Sequence, residues 1–224
     1  MTQPLPPPPP RIAKLPKDHR GFPVPWFATW FLNGEPCAPG QGEADFRVAD
    51  SRKLQRAISQ RLCWVCGEKL GNFLAFTIGP MCAVNRVTSE PPSHSECALF
   101  SAQACPFLVR PRMRRNTKDL PEQTEHPAGF FIERNPAVVC VWITKSYSVF
   151  RASAGGQGTL IKIGEPTSVF WFAEGKEATR AQVEASIESG MPLLMEMAEK
   201  DGAEGITALT AQRMQANAFL PEHM

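Results

Sequence analysis

The alternation of apolar and polar positions divides the chain into segments of distinct texture. Over residues 21–46, GFPVPWFATWFLNGEPCAPGQGEADF, the aromatics Trp26, Phe27, Trp30 and Phe31 crowd a short run bordered by Pro23 and Pro25. The prolines enforce extended backbone, and WFATWF reads as a strand turning at Asn33-Gly34. Aromatics bordered by prolines belong in a core more often than on an exposed base-stacking platform. In SRKLQRAISQRL the apolar residues recur with helical period, so that Leu54, Ala57, Ile58 and Leu62 share a face and Asp50 can cap the helix. Arg52, Lys53, Arg56 and Arg61 fall off that face and read as a solvated surface. Residues 72–78, NFLAFTI, read as a strand entered by a turn at Leu70-Gly71.

Beyond Pro127 the texture changes. AVVCVWITK, SYSVFRA, TLIKI and SVFWF read as four short strands, and their order predicts an antiparallel meander. Cys140, amid Val139, Val141 and Trp142, is expected to be a core thiol. Thr179 and Gln182 spell a capping box that opens a helix through VEASIESG; Gly190 is expected to end it and Pro192 to open the next, PLLMEMAEKDG. Glu196 and Glu199 stand on that second helix where a DNA reader would carry Arg, Gln or Asn, so the pair reads as a helical hairpin packed on the sheet. A last helix, TALTAQRMQANAF, closes the pattern.

Composition bounds these elements. With 224 residues, 43% hydrophobic and 21% charged, the chain has material for one well-buried domain or two small ones. A formal net charge of +2 does not by itself indicate nucleic acid. No apolar run approaches the roughly 20 residues that cross a bilayer, which argues against a membrane protein. The start, MTQPLPPPPPRIAKLP, has no apolar core of a secretion signal. The expected compartment is therefore the cytoplasm, where clustered cysteines mean metal or reactive thiols rather than disulfides. The PPPPP tract at 6–10 predicts polyproline II within a disordered leader over residues 1–20, with a proline-recognising domain as its functional alternative.

The candidate chemistry lies in residues 61–115. Zinc takes four soft or borderline ligands in a tetrahedron, and Cys63-Trp-Val-Cys66 supplies two from a tight knuckle that Gly67 lets turn back. About thirty residues on, Pro91-Pro92-Ser93-His94-Ser95-Glu96-Cys97 reads as a helix start with Ser93 as N-cap and Glu96 three positions later. His94 and Cys97, at i and i+3, then share one side of the first turn. The predicted metal set is Cys63, Cys66, His94 and Cys97, with Zn as the ion. Cys82 is the main rival ligand, and Cys63, Cys66, Cys82 and Cys97 could instead hold an iron–sulfur cluster. Cys105 could also replace a ligand, but two helical turns beyond Cys97 and followed by Pro106 it reads as core.

A knuckle, a hairpin and a helix whose first turn gives the second ligand pair resemble the treble-clef type of zinc finger over residues 61–105. The combination of Cys-x-x-Cys with Pro-Pro-Ser-His-x-x-Cys is also similar to that of uncharacterised bacterial and phage proteins, a resemblance that implies no activity. The predicted fold class is α+β, a treble-clef-like zinc module followed by a small antiparallel sheet with C-terminal helices. The expected division is a leader over 1–20, a zinc module over 21–115 and a sheet-and-helix unit over 129–224.

Several enzyme readings meet the same residues. His94-Ser95-Glu96 spells the H-x-E of zinc deaminases, but the Cys-x-x-Cys precedes it instead of following. An HNH-type nuclease would need a histidine on the hairpin, and FLAFTIGPM contains none. Cys82 with His94 as a thiol nucleophile and base lacks a local signature. After the metal segment, Arg110, Arg112, Arg114, Arg115 and Lys118 form a basic arm among Pro106, Pro111 and Pro121 that could hold phosphates. His19 and His126 read as surface residues. The expected function is a non-enzymatic zinc-binding protein that contacts nucleic acid or a protein partner through this arm. A metal- or thiol-dependent, nuclease-like enzyme and a purely protein-interaction module are the alternatives.

Overall fold

The computed structural model describes residues 6–110, 135–151 and 158–222. Helix α1, Pro10–Ala13, has proline at its start, where a missing N–H costs nothing. Residues 10–20, assigned by composition to a disordered leader, are ordered. Ile12 is 2% exposed and Leu15 packs against the same core, while Val24 donates to the Pro16 carbonyl at 2.8 Å. Ile12 and Leu15, directly behind the proline tract, dock this segment on the core, and Arg11 adds ion pairs to Glu68 and Glu96.

Strands β1 (Ala28–Leu32), β2 (Glu35–Cys37) and β3 (Glu43–Ala49) form an antiparallel sheet in the order β2-β1-β3. Asn33 at φ 54° and Gly34 at φ 85° make the predicted two-residue turn, since a hairpin that keeps the strand twist needs positive φ at both positions. Trp30 joins Val24 and Ala28 in a small core of their own. Helix α2, Ser51–Gln60, is capped as expected by Asp50, which accepts from the Arg52 amide at 2.9 Å.

The remaining strands are β4 (Leu74–Ile78), β5 (Val87–Thr88), β6 (Val139–Thr144), β7 (Tyr147–Arg151), β8 (Thr159–Ile163), β9 (Pro166–Ala173) and β10 (Lys176–Glu177), with α3 (Pro80–Asn85) and α4 (Ser95–Ala104) between β4 and β6. The four strands after Pro127 exist but do not run as a meander. β6 pairs with β9 and with β4 in a sheet ordered β10-β9-β6-β4, while β7 and β8 peel away to join β5 in a second sheet. The reason lies in β6, whose six residues are all buried. Cys140 and Trp142 enter one apolar cluster and Val139, Val141 and Ile143 the other, so this strand needs neighbours on both edges and cover on both faces. Because β4 is one of those neighbours, the central sheet joins strands from both sides of the residue 115–129 stretch. The class is α+β.

Helix α5, Arg180–Lys200, opens with the predicted capping box between Thr179 and Gln182. It does not stop at Gly190, and Pro192 lies inside it rather than opening a second helix. Gly190 is buried against Met81 of α3, where a Cβ would collide with the methionine side chain, so its role is close helix approach and not a C-cap. The helical hairpin forms instead between α5 and α6 (Gly202–Ala216), both packed on α3. A 3-10 turn, Asn217–Phe219, closes the core, with the Phe219 carbonyl accepting from the Trp171 indole at 2.8 Å. Among the described residues no helix is long and apolar enough to cross a membrane.

Candidate metal centre

The knuckle is folded by its own backbone. Cys63 N–H donates to the Glu68 carbonyl and Gly67 N–H to the Cys63 carbonyl, both at 2.8 Å, which folds Cys66 back over Cys63. Gly67 completes the turn at φ 76°, and a Cβ there would lie 2.6 Å from the Trp26 ring. Only glycine satisfies both the left-handed backbone and the close approach. The amides of Cys66 and His94 both donate to Cys63 Sγ at 3.4 Å.

The second half of the site is shifted by one residue from the expected cap. His94, not Ser93, is the N-cap of α4. Ser93 is buried, and its backbone exchanges two hydrogen bonds with Ala75 of β4, at 2.9 and 2.7 Å. That bridge fastens the start of α4 to the central sheet and brings His94 and Cys97 onto the knuckle.

The structure places one ligand atom each of Cys63, Cys66, His94 and Cys97 within 4.8 Å of one another, a set that could hold a metal ion. His94 Nδ1 lies 3.4 Å from Cys66 Sγ and 4.0 Å from Cys97 Sγ. Its Nε2 faces the Lys69 carbonyl at 3.0 Å. All three cysteines are buried. Hydrogen bonds from the Cys66 and Cys97 thiols, joined by the two amides, hold the Cys63 thiol far below the ordinary thiol range. The reciprocal effect of Cys63 pushes Cys66 up to about 11, and Cys63 followed by Cys66 raises Cys97. A cation among the three facing sulfurs would favour ionisation of the two raised thiols. Outside the sulfurs, Arg11 of α1 bridges Glu68, just past the knuckle, and Glu96, in the first turn of α4, at 3.0 Å from the latter.

The rival ligands stand elsewhere. Cys82 lies in α3, outside the cluster, and burial pushes its thiol up to about 11, the opposite of an activated nucleophile. Cys105 is the C-cap of α4, and burial raises its thiol as well. The four-cysteine set needed for an iron–sulfur cluster is thus not brought together among the described residues. Glu96, the acid/base group of the deaminase reading, points at Arg11. His19 is exposed, as is Arg110, the first residue of the basic arm; Arg112, Arg114, Arg115, Lys118 and His126 lie outside the described residues. Lys69 was not legible from the sequence, because it acts through its carbonyl and no side-chain pattern marks that role. Arg11, Glu68 and Glu96 carry ordinary surface chemistry that only the fold assembles.

No protein-family model matches the chain, and no curated protein or solved structure matches it significantly.

Proposed function

We propose that Cys63, Cys66, His94 and Cys97 bind one zinc ion as the structural centre of a treble-clef-like module, and that the protein is a non-enzymatic cytoplasmic factor that contacts nucleic acid through the adjoining basic arm. The observation that carries the metal reading is the closed set of four protein ligands. Zinc bonds of about 2.3 Å to sulfur and about 2.0 Å to nitrogen give tetrahedron edges of about 3.8 Å between sulfurs and about 3.6 Å from sulfur to nitrogen. The distances of 3.4 and 4.0 Å from Nδ1 to two sulfurs bracket the second of these. Three thiolates and an imidazole suit zinc, and four protein ligands leave no position for an activated water. The Lys69 carbonyl on Nε2 supplies the outer support that ligating histidines commonly have. Such a centre contributes apparent binding free energy of about 10–16 kcal/mol, which would tie the knuckle, α1 and α4 together.

The nucleic-acid part rests on charge and position. Arg110, Arg112, Arg114, Arg115 and Lys118 lie in sequence shortly after α4, which ends at Ala104 and whose N-terminus carries two of the ligands. The arm leaves from a fixed point, since the Asn135 side-chain amide donates to the carbonyls of Leu108 and Arg110 at 3.3 and 3.0 Å. Cations held next to a rigid module can neutralise several phosphates, and affinity then falls steeply with salt. Titration of labelled oligonucleotides against the zinc-loaded protein over a salt series tests this. Replacing Arg112, Arg114 and Arg115 with alanine is expected to weaken binding and flatten the salt slope; an unchanged slope sinks the nucleic-acid reading.

A further inference from the structure

The loop that supports His94 continues into an open cleft. The Lys69 side chain donates to the Gln60 carbonyl and Leu70 N–H to the Arg61 carbonyl, both at 2.9 Å, so this loop is fastened to the end of α2. Phe73, one residue before β4, projects outward and is 52% exposed. The β4–β6 register pairs Leu74 with Thr144, which sets Lys145 across from Phe73. Lys145 Nζ accordingly lies 5.5 Å from the ring centroid. Arg61, in the left-handed C-cap of α2, and Asn72 complete a cleft of about 270 Å³.

A single exposed phenylalanine is ordinary. This one combines its exposure with neighbouring cations, whereas Trp26, which lies under Lys53 and Arg56, is partly buried. Arg11, Arg20, Arg47, Arg52 and Arg86 each pair with a carboxylate. Arg61 and Lys145 make no such pair among the described residues, and both line the cleft with Phe73, Lys145 lying over its ring. We propose that Arg61, Asn72, Phe73 and Lys145 form a binding site for single-stranded nucleic acid, with one base stacked on Phe73, the flanking phosphates on Arg61 and Lys145, and the Asn72 amide at the base edge. Stacking platforms flanked by cations are how unpaired strands are held, whereas a duplex keeps its bases out of reach. A free nucleotide is the poorer fit, because the cleft is too open to enclose one. The proposal deepens the nucleic-acid reading above but does not depend on the arm. It also links the cleft to the metal, since Lys69 belongs to the loop that carries Phe73.

The test is fluorescence anisotropy of a labelled oligothymidylate of about 15 nucleotides, within the span such grooves cover, with the zinc-loaded full chain. Phe73→Ala is expected to weaken binding about 5- to 150-fold and Phe73→Tyr, which keeps the ring, to stay within about twofold of wild type. Arg61→Ala and Lys145→Ala should each lower the slope of log K against log salt by about 0.7. Duplex of the same length and thymidine monophosphate are expected to bind at least about tenfold more weakly. Equal affinity for the mononucleotide, or full affinity in Phe73→Ala with zinc content unchanged, overturns the proposal. If the arm variant loses binding while Phe73→Ala keeps it, the cleft fails and the arm stands; the converse leaves the cleft and removes the arm. Absence of strand binding by the wild type overturns both.

Discussion

His94 Nε2 lies 3.0 Å from the carbonyl oxygen of Lys69, and that contact decides what the other ring nitrogen can do. A carbonyl only accepts, so Nε2 carries the proton and Nδ1 turns a lone pair towards the sulfurs of Cys66 and Cys97. A backbone atom thereby selects the ligating tautomer, and no side-chain substitution at position 69 is expected to abolish it. Lys69→Ala should retain zinc at the wild-type stoichiometry, measured by elemental analysis; loss of metal in that variant would mean that the lysine side chain, not its carbonyl, is what matters.

Zinc uptake should release protons in a defined number. The Cys63 thiol is held far below the ordinary thiol range, whereas Cys66 is pushed up to about 11 and Cys97 is raised. At pH 7 binding is therefore expected to displace about two protons. Because protons compete with the metal, affinity rises with pH, by about 100-fold per unit, between pH 7 and the point where Cys66 ionises unaided. Calorimetric titration in buffers of different ionisation enthalpy counts the protons. A count near three would show that Cys63 is not already ionised.

Gly67→Ala should be costly for two separable reasons. The backbone at φ 76° disfavours any side chain, and the new Cβ would press on the Trp26 ring. Together these predict a loss of about 2–4 kcal/mol, read from urea unfolding of the zinc-loaded protein. Gly71→Ala, where a Cβ meets nothing within 4 Å, is the control and should be nearly neutral.

Pro192→Ala distinguishes one long helix from two short ones. Inside α5 the proline removes a hydrogen bond and crowds the carbonyl of Glu188 one turn back. Alanine is then expected to raise stability by about 1–3 kcal/mol. Were Pro192 the first residue of a separate helix, the same change would be neutral or destabilising.

Trp64 is stacked on Phe27 at 4.9 Å between centroids, yet its buried indole N–H has no acceptor among the described residues. Trp64→Phe keeps the stack and removes a donor whose desolvation costs about 1–3 kcal/mol. The gain offsets the lost ring area, so the unfolding free energy should change by less than about 1 kcal/mol. Trp64→Ala, which empties the site, should cost about 3–5 kcal/mol.

What could be read from the sequence was local. The Asn33-Gly34 turn, the Asp50 cap, the Cys63–Gly67 knuckle and the Thr179–Gln182 capping box each depend on residues a few positions apart, and each is present. The misplacements came from contacts distant in sequence. Ser93 has the chemistry of an N-cap, but its backbone is taken by Ala75, which moves the cap to His94. Gly190 has the chemistry of a helix stop, but Met81 occupies its bare face. The strand order failed because β6, apolar on both faces, recruits β4 from more than sixty residues upstream. Ile12 shows the converse, since a proline tract hid the apolar residue that anchors the segment behind it. The start of α3 is marked locally by Gly79-Pro80, with proline at the first helical position.

Native mass spectrometry of the protein purified without added metal tests the central claim most directly. The account predicts one zinc ion per chain, lost in Cys63→Ser and Cys97→Ser and retained in Cys82→Ser. A metal-free protein, bound iron, or zinc that disappears with Cys82→Ser would contradict it.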